Sequence, residues 1–200
     1  MCSIKGLAVL VVVLGTVASA SAQSGFPGEG IPRAQIAVDY SFMRANAGPG
    51  NCGCFSLNGG SAEVAVRAYG NFSAVFDMSG EYAGTTSVAG ESLALLSYTA
   101  GPRFSYPLHH GVRTRFIPFV QGLVGTGHGF DGQFPTRSDA LSSSATDLAI
   151  LVGGGLDVEV SHRFAIRIVQ VDYGLNHLPN NANNSENLLR VSAGVVLRIR

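Results

Sequence analysis

The sequence predicts an all-β fold: an eight-stranded antiparallel barrel that crosses a membrane as an up-and-down meander. Three observations point there. Apolar residues recur at every second position along most of the chain, and two is the period of a strand, not of a helix. The apolar faces carry large aromatics while the opposite faces carry charge, a pattern that suits lipid outside and a polar lumen inside. The connections alternate long and short along the chain, as expected when tight turns gather at one end of a barrel and loops at the other.

The clearest element is a hairpin, Ser61 to Ala83. Val64, Val66 and Ala68 alternate with Glu63, Ala65, Arg67 and Tyr69. Gly70-Asn71 can supply the positive φ angles of a two-residue turn. Beyond it Phe72, Ala74, Phe76, Met78 and Tyr82 alternate with Ser73, Asp77, Ser79 and Glu81.

The other strands follow in order. Gln35 to Arg44 is the first, with Ile36, Val38, Tyr40 and Phe42 on one face. A long loop, Asn46 to Gly60, leads to the hairpin, and a second, Gly84 to Gly90, leaves it. Leu93 to Tyr106 sets Tyr98, Ala100, Phe104 and Tyr106 against Ser97, Thr99, Arg103 and Ser105; Pro102 is awkward there, since it cannot donate to a ladder, and a bulge could absorb it. Leu108 to Gly111 reads as a turn and Val112 to Gly127 as a strand whose faces are both apolar, through Ile117, Phe119 and Val120. His128 to Ala145 reads as a polar loop and Asp147 to Val160 as the sixth strand, with Asp157 and Glu159 on its polar face. After the turn Ser161-His162-Arg163, the strand Phe164 to Tyr173 carries a conflict: Gln170 and Asp172 share a face and Arg167 falls on the other. Either a bulge shifts the register or Arg167 snorkels at the membrane edge. A loop from Gly174 to Glu186 precedes the last strand, Leu188 to Arg200.

Three segments result. Residues 1–22 are expected to be a signal peptide: Lys5, the apolar run Leu7 to Val17, then Ala20-Ser21-Ala22 before the cleavage point. Residues 23–33 read as a flexible lead-in, and 34–200 as the barrel domain. Charged residues make up only 13% of the chain, hydrophobic ones 46%, and the formal net charge is zero, which leaves no electrostatic case for nucleic acid.

The polar faces collect Asp39, Glu63, Arg67, Asp77, Glu81, Arg103, Asp157, Glu159, Asp172 and Arg190. An eight-stranded bore is only wide enough to be filled by side chains, so these are expected to pair as a structural plug; a narrow ion path is the alternative. Cys52 and Cys54 allow a loop disulfide, a metal site or free thiols, and two sulfurs without nearby His or acids make a weak metal signal. His109, His110 and His162 fall in turns. No helix follows Gly125 to Gly129, so that run is no phosphate loop. His128 and His177 lie near strand ends, yet no motif sets a particular serine beside either. No cofactor, metal or enzymatic activity is expected. A soluble exported ligand-binding barrel and a lipid-modifying outer-membrane hydrolase remain the rival readings.

Pro118-Phe119-Val120-Gln121-Gly122, Gly153-Gly154-Gly155-Leu156-Asp157 and Arg190 to Val196 carry a resemblance, in this order, to the OmpA-like transmembrane-domain family of small outer-membrane barrels. It spans Gln35 to Arg200. The last strand, with Ser192, Gly194, Leu197 and Ile199, resembles the insertion signal that the barrel-assembly machinery reads, although Ile199-Arg200 stands where the family usually has a terminal aromatic. The resemblance implies the outer membrane of a Gram-negative bacterium, outer-membrane lipid as surroundings, periplasmic chaperones and the assembly machinery as partners in biogenesis, and a structural or surface-loop role with at most weak porin-like activity.

Overall fold

The computed structural model describes residues 31–46, 54–84, 92–110, 114–135, 141–176 and 186–199. Nine strands run through them: β1 (Ala34–Asn46), β2 (Cys54–Tyr69), β3 (Phe72–Ala83), β4 (Leu93–Ser105), β5 (Leu108–His110), β6 (Thr114–Pro135), β7 (Leu141–Glu159), β8 (Phe164–Asn176) and β9 (Glu186–Ile199). β4 and β5 both pair with β6, one beyond the other, and make a single wall. Neighbouring strands follow the order β4-β3-β2-β1-β9-β8-β7-β6, and β6 returns to β4. The result is a closed antiparallel barrel of eight walls. Closure leaves no sheet edge, so each wall satisfies its backbone groups without water.

Burial is inverted relative to a soluble protein. Val38, Val120 and Val152 keep 63%, 61% and 60% of their surface exposed, whereas Glu63, Asp77 and Asp172 keep 1%, 1% and 0%. The same division runs along the hairpin of β2 and β3: Val64, Val66, Phe72, Phe76, Met78 and Tyr82 face out, and Ala65, Ser73, Ser79 and Glu81 face the lumen. Gly70 turns the hairpin at φ 54°, a conformation open to glycine at no steric cost. An exposed band of valine, isoleucine and aromatic rings is stable only if hydrocarbon surrounds it.

The structure departs from the expected elements at the loop end and at Leu108, and it settles Pro102. The strands at the loop end run further than the apolar alternation suggested: β1 pairs with β2 as far as Asn46 and Cys54, and β6 and β7 pair through much of the expected loop His128 to Ala145. Beyond the hydrocarbon the ladder still forms but no longer needs apolar residues. The expected turn at Leu108 is strand: Leu108, His109 and His110 pair with Phe116, Arg115 and Thr114. Pro102 causes no bulge. It stays opposite Ala74 of β3, and the β4–β6 ladder passes from Ala100 opposite Val124 to Arg103 opposite Gln121 in unchanged register. Leaving that ladder open at Gly101 and Pro102 accommodates the missing N–H.

In β8 a bulge, not snorkelling, resolves the conflict. Arg167 lies opposite Gly194 and Gln170 opposite Ser192, so Ile168 and Val169 together span the single residue Ala193. Both extra side chains face lipid, and Arg167, Gln170 and Asp172 all face the lumen. Of the lead-in, Ile31 and Pro32 are buried at the short-turn end of the barrel. The leader, Cys52, and the side chains of Cys54, His109 and His110 lie outside the described residues, as does His177.

Substituting Val152→Arg places a charge on the hydrocarbon face. It is expected to lower unfolding stability in phosphatidylcholine vesicles by roughly 2–4 kcal/mol, measured by urea titration; a soluble arrangement of the same strands would tolerate the change.

Candidate functional site: the ion-paired lumen

Each wall contributes every second residue to the lumen, and the barrel stagger brings together side chains distant in sequence. Arg167 is the most connected group. Its Nη1 donates to Asp39 Oδ2 (3.0 Å) and to Gln170 Oε1 (2.8 Å), its Nη2 to Glu63 Oε1 (3.1 Å), and its Nε to Asp157 Oδ1 (2.9 Å). Arg103 holds Glu63 through both carboxylate oxygens, Nη1 to Oε1 at 2.6 Å, and its Nε donates to Gln121 Oε1 at 3.0 Å. Glu63 therefore bridges two arginines.

A second centre forms around Arg190, which donates to Asp77 Oδ1 (2.9 Å) and to Asp172 Oδ2 (3.0 Å). Two amides tie the centres together: Gln121 Nε2 donates to Asp172 Oδ1 (3.1 Å) and Gln170 Nε2 to Asp172 Oδ2 (2.7 Å). Glu81 accepts from the hydroxyls of Ser41 (3.1 Å) and Ser79 (3.2 Å). The guanidiniums of Arg103 and Arg167 both stand over the Phe119 ring, 4.1 and 4.9 Å from its centroid. Such stacking favours Arg over Lys at both positions.

Two glycines open the paths. Gly194 sits on β9 between Arg167 on β8 and Asp39 on β1, and a Cβ there would run into the Val38 carbonyl and Asp39 Oδ1. Gly153 sits on β7 between Gln121 on β6 and Asp172 on β8, and a Cβ there would strike Asp172. Side chains two walls apart meet because the intervening wall has none.

Toward the loop end the network is covered by an apolar layer of Met43, Leu57, Leu95, Leu123, Leu151 and Leu188. Its row is continuous in register: Leu123 opposite Leu151, Leu151 opposite Gly174, Gly174 opposite Leu188, and Leu188 opposite Ala45. The lumen is filled by charge in the middle and by hydrocarbon above it.

Of the ten charged residues read from the polar faces, eight meet in this network: Asp39, Glu63, Asp77, Glu81, Arg103, Asp157, Asp172 and Arg190. The other two sit at the short-turn rim. Arg67 donates to the Ile31 carbonyl (3.0 Å), and Glu159 pairs with Arg115 (3.6 Å) and with Arg198. Gln121, Gln170 and Phe119 also belong to the network without having been read as members of it, and Arg167 joins them through the bulge, one of the two alternatives its strand left open. A bulge hid Arg167, and the amides carry no charge to flag them. Ser192 and Gly194 of the expected insertion signal face the lumen, Leu197 and Ile199 face lipid, and all four lie on the seam where β9 pairs with β1. His128 faces outward, its Nδ1 against Thr146 Oγ1 and its ring edge-on to Phe130.

Removing one member of a buried ion cluster strands the rest. Arg167→Met is expected to cost roughly 3–5 kcal/mol, and Arg67→Met at the rim about 1 kcal/mol or less. Urea unfolding of the two variants in vesicles measures both, and equal losses would contradict the hub role of Arg167.

No family model and no curated protein matches the chain. Solved structures do. Neisserial surface protein A, NspA, superposes with TM-score 0.61 at 14% identity, covering 88% of this chain and 100% of that one. Ail, the attachment invasion locus protein of Yersinia pestis, superposes with TM-score 0.55 at 17% identity, covering 84% of this chain and 99% of that one, in a structure with the heparin analogue sucrose octasulfate. What the chain shares with both is the fold, the closed eight-walled barrel of small outer-membrane proteins.

Proposed function

We propose that this chain is an integral outer-membrane protein of a Gram-negative cell envelope, exported through a cleaved signal peptide and without enzymatic activity. Its role is structural and surface-displaying: the barrel anchors, and the loops at one end meet the exterior. Conduction is at most weak. The single observation that carries the reading is the filled lumen, an ion-paired middle beneath an apolar layer, inside walls whose outer faces are apolar. A pore needs a continuous polar path, and the leucine layer interrupts it.

A soluble carrier would bury the aromatic faces and expose the acids, the reverse of the burial found. Insertion is expected to pass through periplasmic chaperones and the barrel-assembly machinery, with β9 as the strand recognised.

Full-length protein expressed in a Gram-negative host is expected in the outer-membrane fraction. On gels in detergent it should migrate faster unheated than boiled, as folded small barrels do, and in planar bilayers it should give small, rare conductance steps or none. Recovery wholly in the soluble periplasmic fraction would sink the proposal.

A further inference from the structure

The lumen network uses Arg103, Arg167 and Arg190. A second set of arginines gathers at the short-turn end: Arg33 just before β1, Arg67 on β2, Arg115 on β6, Arg163 in the turn before β8, and Arg198 on β9. Four of them lie on consecutive walls. The Arg67 N–H donates to the Arg33 carbonyl (2.9 Å), the Arg198 N–H to the Arg163 carbonyl (2.7 Å), and Ala34 beside Arg33 stands opposite Ile199 beside Arg198. Glu159 is the acid at this rim among the described residues, and it already serves Arg115 and Arg198. Arg33 and Arg163 are exposed, and neither makes an ion pair among the described residues.

The height of this arc matters. On β1, β8 and β9 the lipid-facing apolar side chains end here with Ile36, Phe164, Leu197 and Ile199, all exposed, while on β2 they run on past Val66 to Tyr69 at the turn. Arg33 and Arg163 lie one to three residues past that edge, on the order of 3–10 Å at the rise of a strand. That is where phosphates sit above hydrocarbon. At the opposite end Arg44 on β1 is exposed and donates to the Ser56 hydroxyl (2.9 Å).

We propose that the two exposed arginines of this arc, Arg33 before β1 and Arg163 before β8, bind anionic phospholipid headgroups of the leaflet at the short-turn end, the periplasmic leaflet of an outer-membrane barrel, while Arg67 and Arg198 between them are held by the Ile31 carbonyl and Glu159. The guanidinium fork matches a phosphate in two-bond geometry, and a basic group at an anionic lipid surface gains from the local potential. A soluble polyanion would have no reason to prefer arginines placed at the end of a hydrocarbon band. This inference rests on the membrane reading above, and its test separates the two.

The full chain is folded into phosphatidylcholine vesicles holding a trace of spin-labelled phosphatidylglycerol or spin-labelled phosphatidylcholine, and electron spin resonance reads the lipid immobilised on the barrel wall. Immobilised phosphatidylglycerol is expected to exceed phosphatidylcholine by roughly threefold to fivefold at low salt. The double variant Arg33→Gln/Arg163→Gln should keep heat-modifiable migration and bring the ratio near parity, as should high salt. Arg44→Gln at the other rim should leave the ratio unchanged. Parity in an inserted wild-type barrel, or a preference that survives the double variant, overturns the headgroup site alone. A chain that does not insert overturns the membrane reading and this inference with it.

Discussion

Arg167 meets three carboxylates deep inside the tube, shielded from the surface, and the rest of the barrel is arranged to permit that meeting. An isolated guanidinium in such a place would be very costly. Here Asp39 comes from β1, Glu63 from β2 and Asp157 from β7, so the charge is shared across the seam where the chain's first and last strands close. The bulge at Ile168 and Val169 turns Arg167 inward, and Gly194 clears the wall between it and Asp39. Each feature is a defect in a regular ladder, and each makes sense only through the ion pairs it allows.

The outer surface imposes the complementary constraint. A wall two residues thick in period has one face for lipid and one for the lumen, and eight walls give too narrow a bore for free water. Polar side chains confined there must satisfy one another. Gln121 does this for Asp172 Oδ1, Gln170 adds a further donor to Asp172 Oδ2 beside Arg190, and Phe119 supplies a polarisable face to two guanidiniums. Rigidity follows, since moving one member breaks bonds to several walls. A barrel so filled is better suited to holding loops in place than to passing solutes.

Most of the fold was legible because the alternation of faces is a direct consequence of strand geometry, and the aromatic-against-charged contrast says which solvent lies outside. The β2–β3 hairpin, the faces of β1, β3, β4 and β9, and the meander all follow from it. Strand ends were less legible, because hydrogen bonding beyond the bilayer leaves no apolar mark, as at β6 and β7. Eight of the network's charged members could be read from the polar faces. Arg167 could not be assigned, because a bulge changes parity without leaving a composition signal, although Gln170 and Asp172 on the wrong side of it were a symptom. Phe119 looked like noise in an amphipathic pattern, and only the positions of two guanidiniums explain an aromatic facing inward.

Net charge concealed the arrangement altogether. The chain sums to zero, yet the described charges are sorted along the barrel axis. The central network sets Asp39, Glu63, Asp77, Glu81, Asp157 and Asp172 against Arg103, Arg167 and Arg190, an excess of acid. The short-turn rim sets Arg33, Arg67, Arg115, Arg163 and Arg198 against Glu159, an excess of base. Spacing along the sequence cannot reveal this, since Arg67 and Glu63 are near neighbours on one strand but lie on opposite sides of the division. The fields of the two layers oppose and partly cancel within the low-dielectric wall, where charges interact over longer distances than in water. Of the rim guanidiniums, Arg67, Arg115 and Arg198 are held within the barrel mouth, which leaves Arg33 and Arg163, exposed and without an ion pair among the described residues, as the ones open to anions from outside the chain.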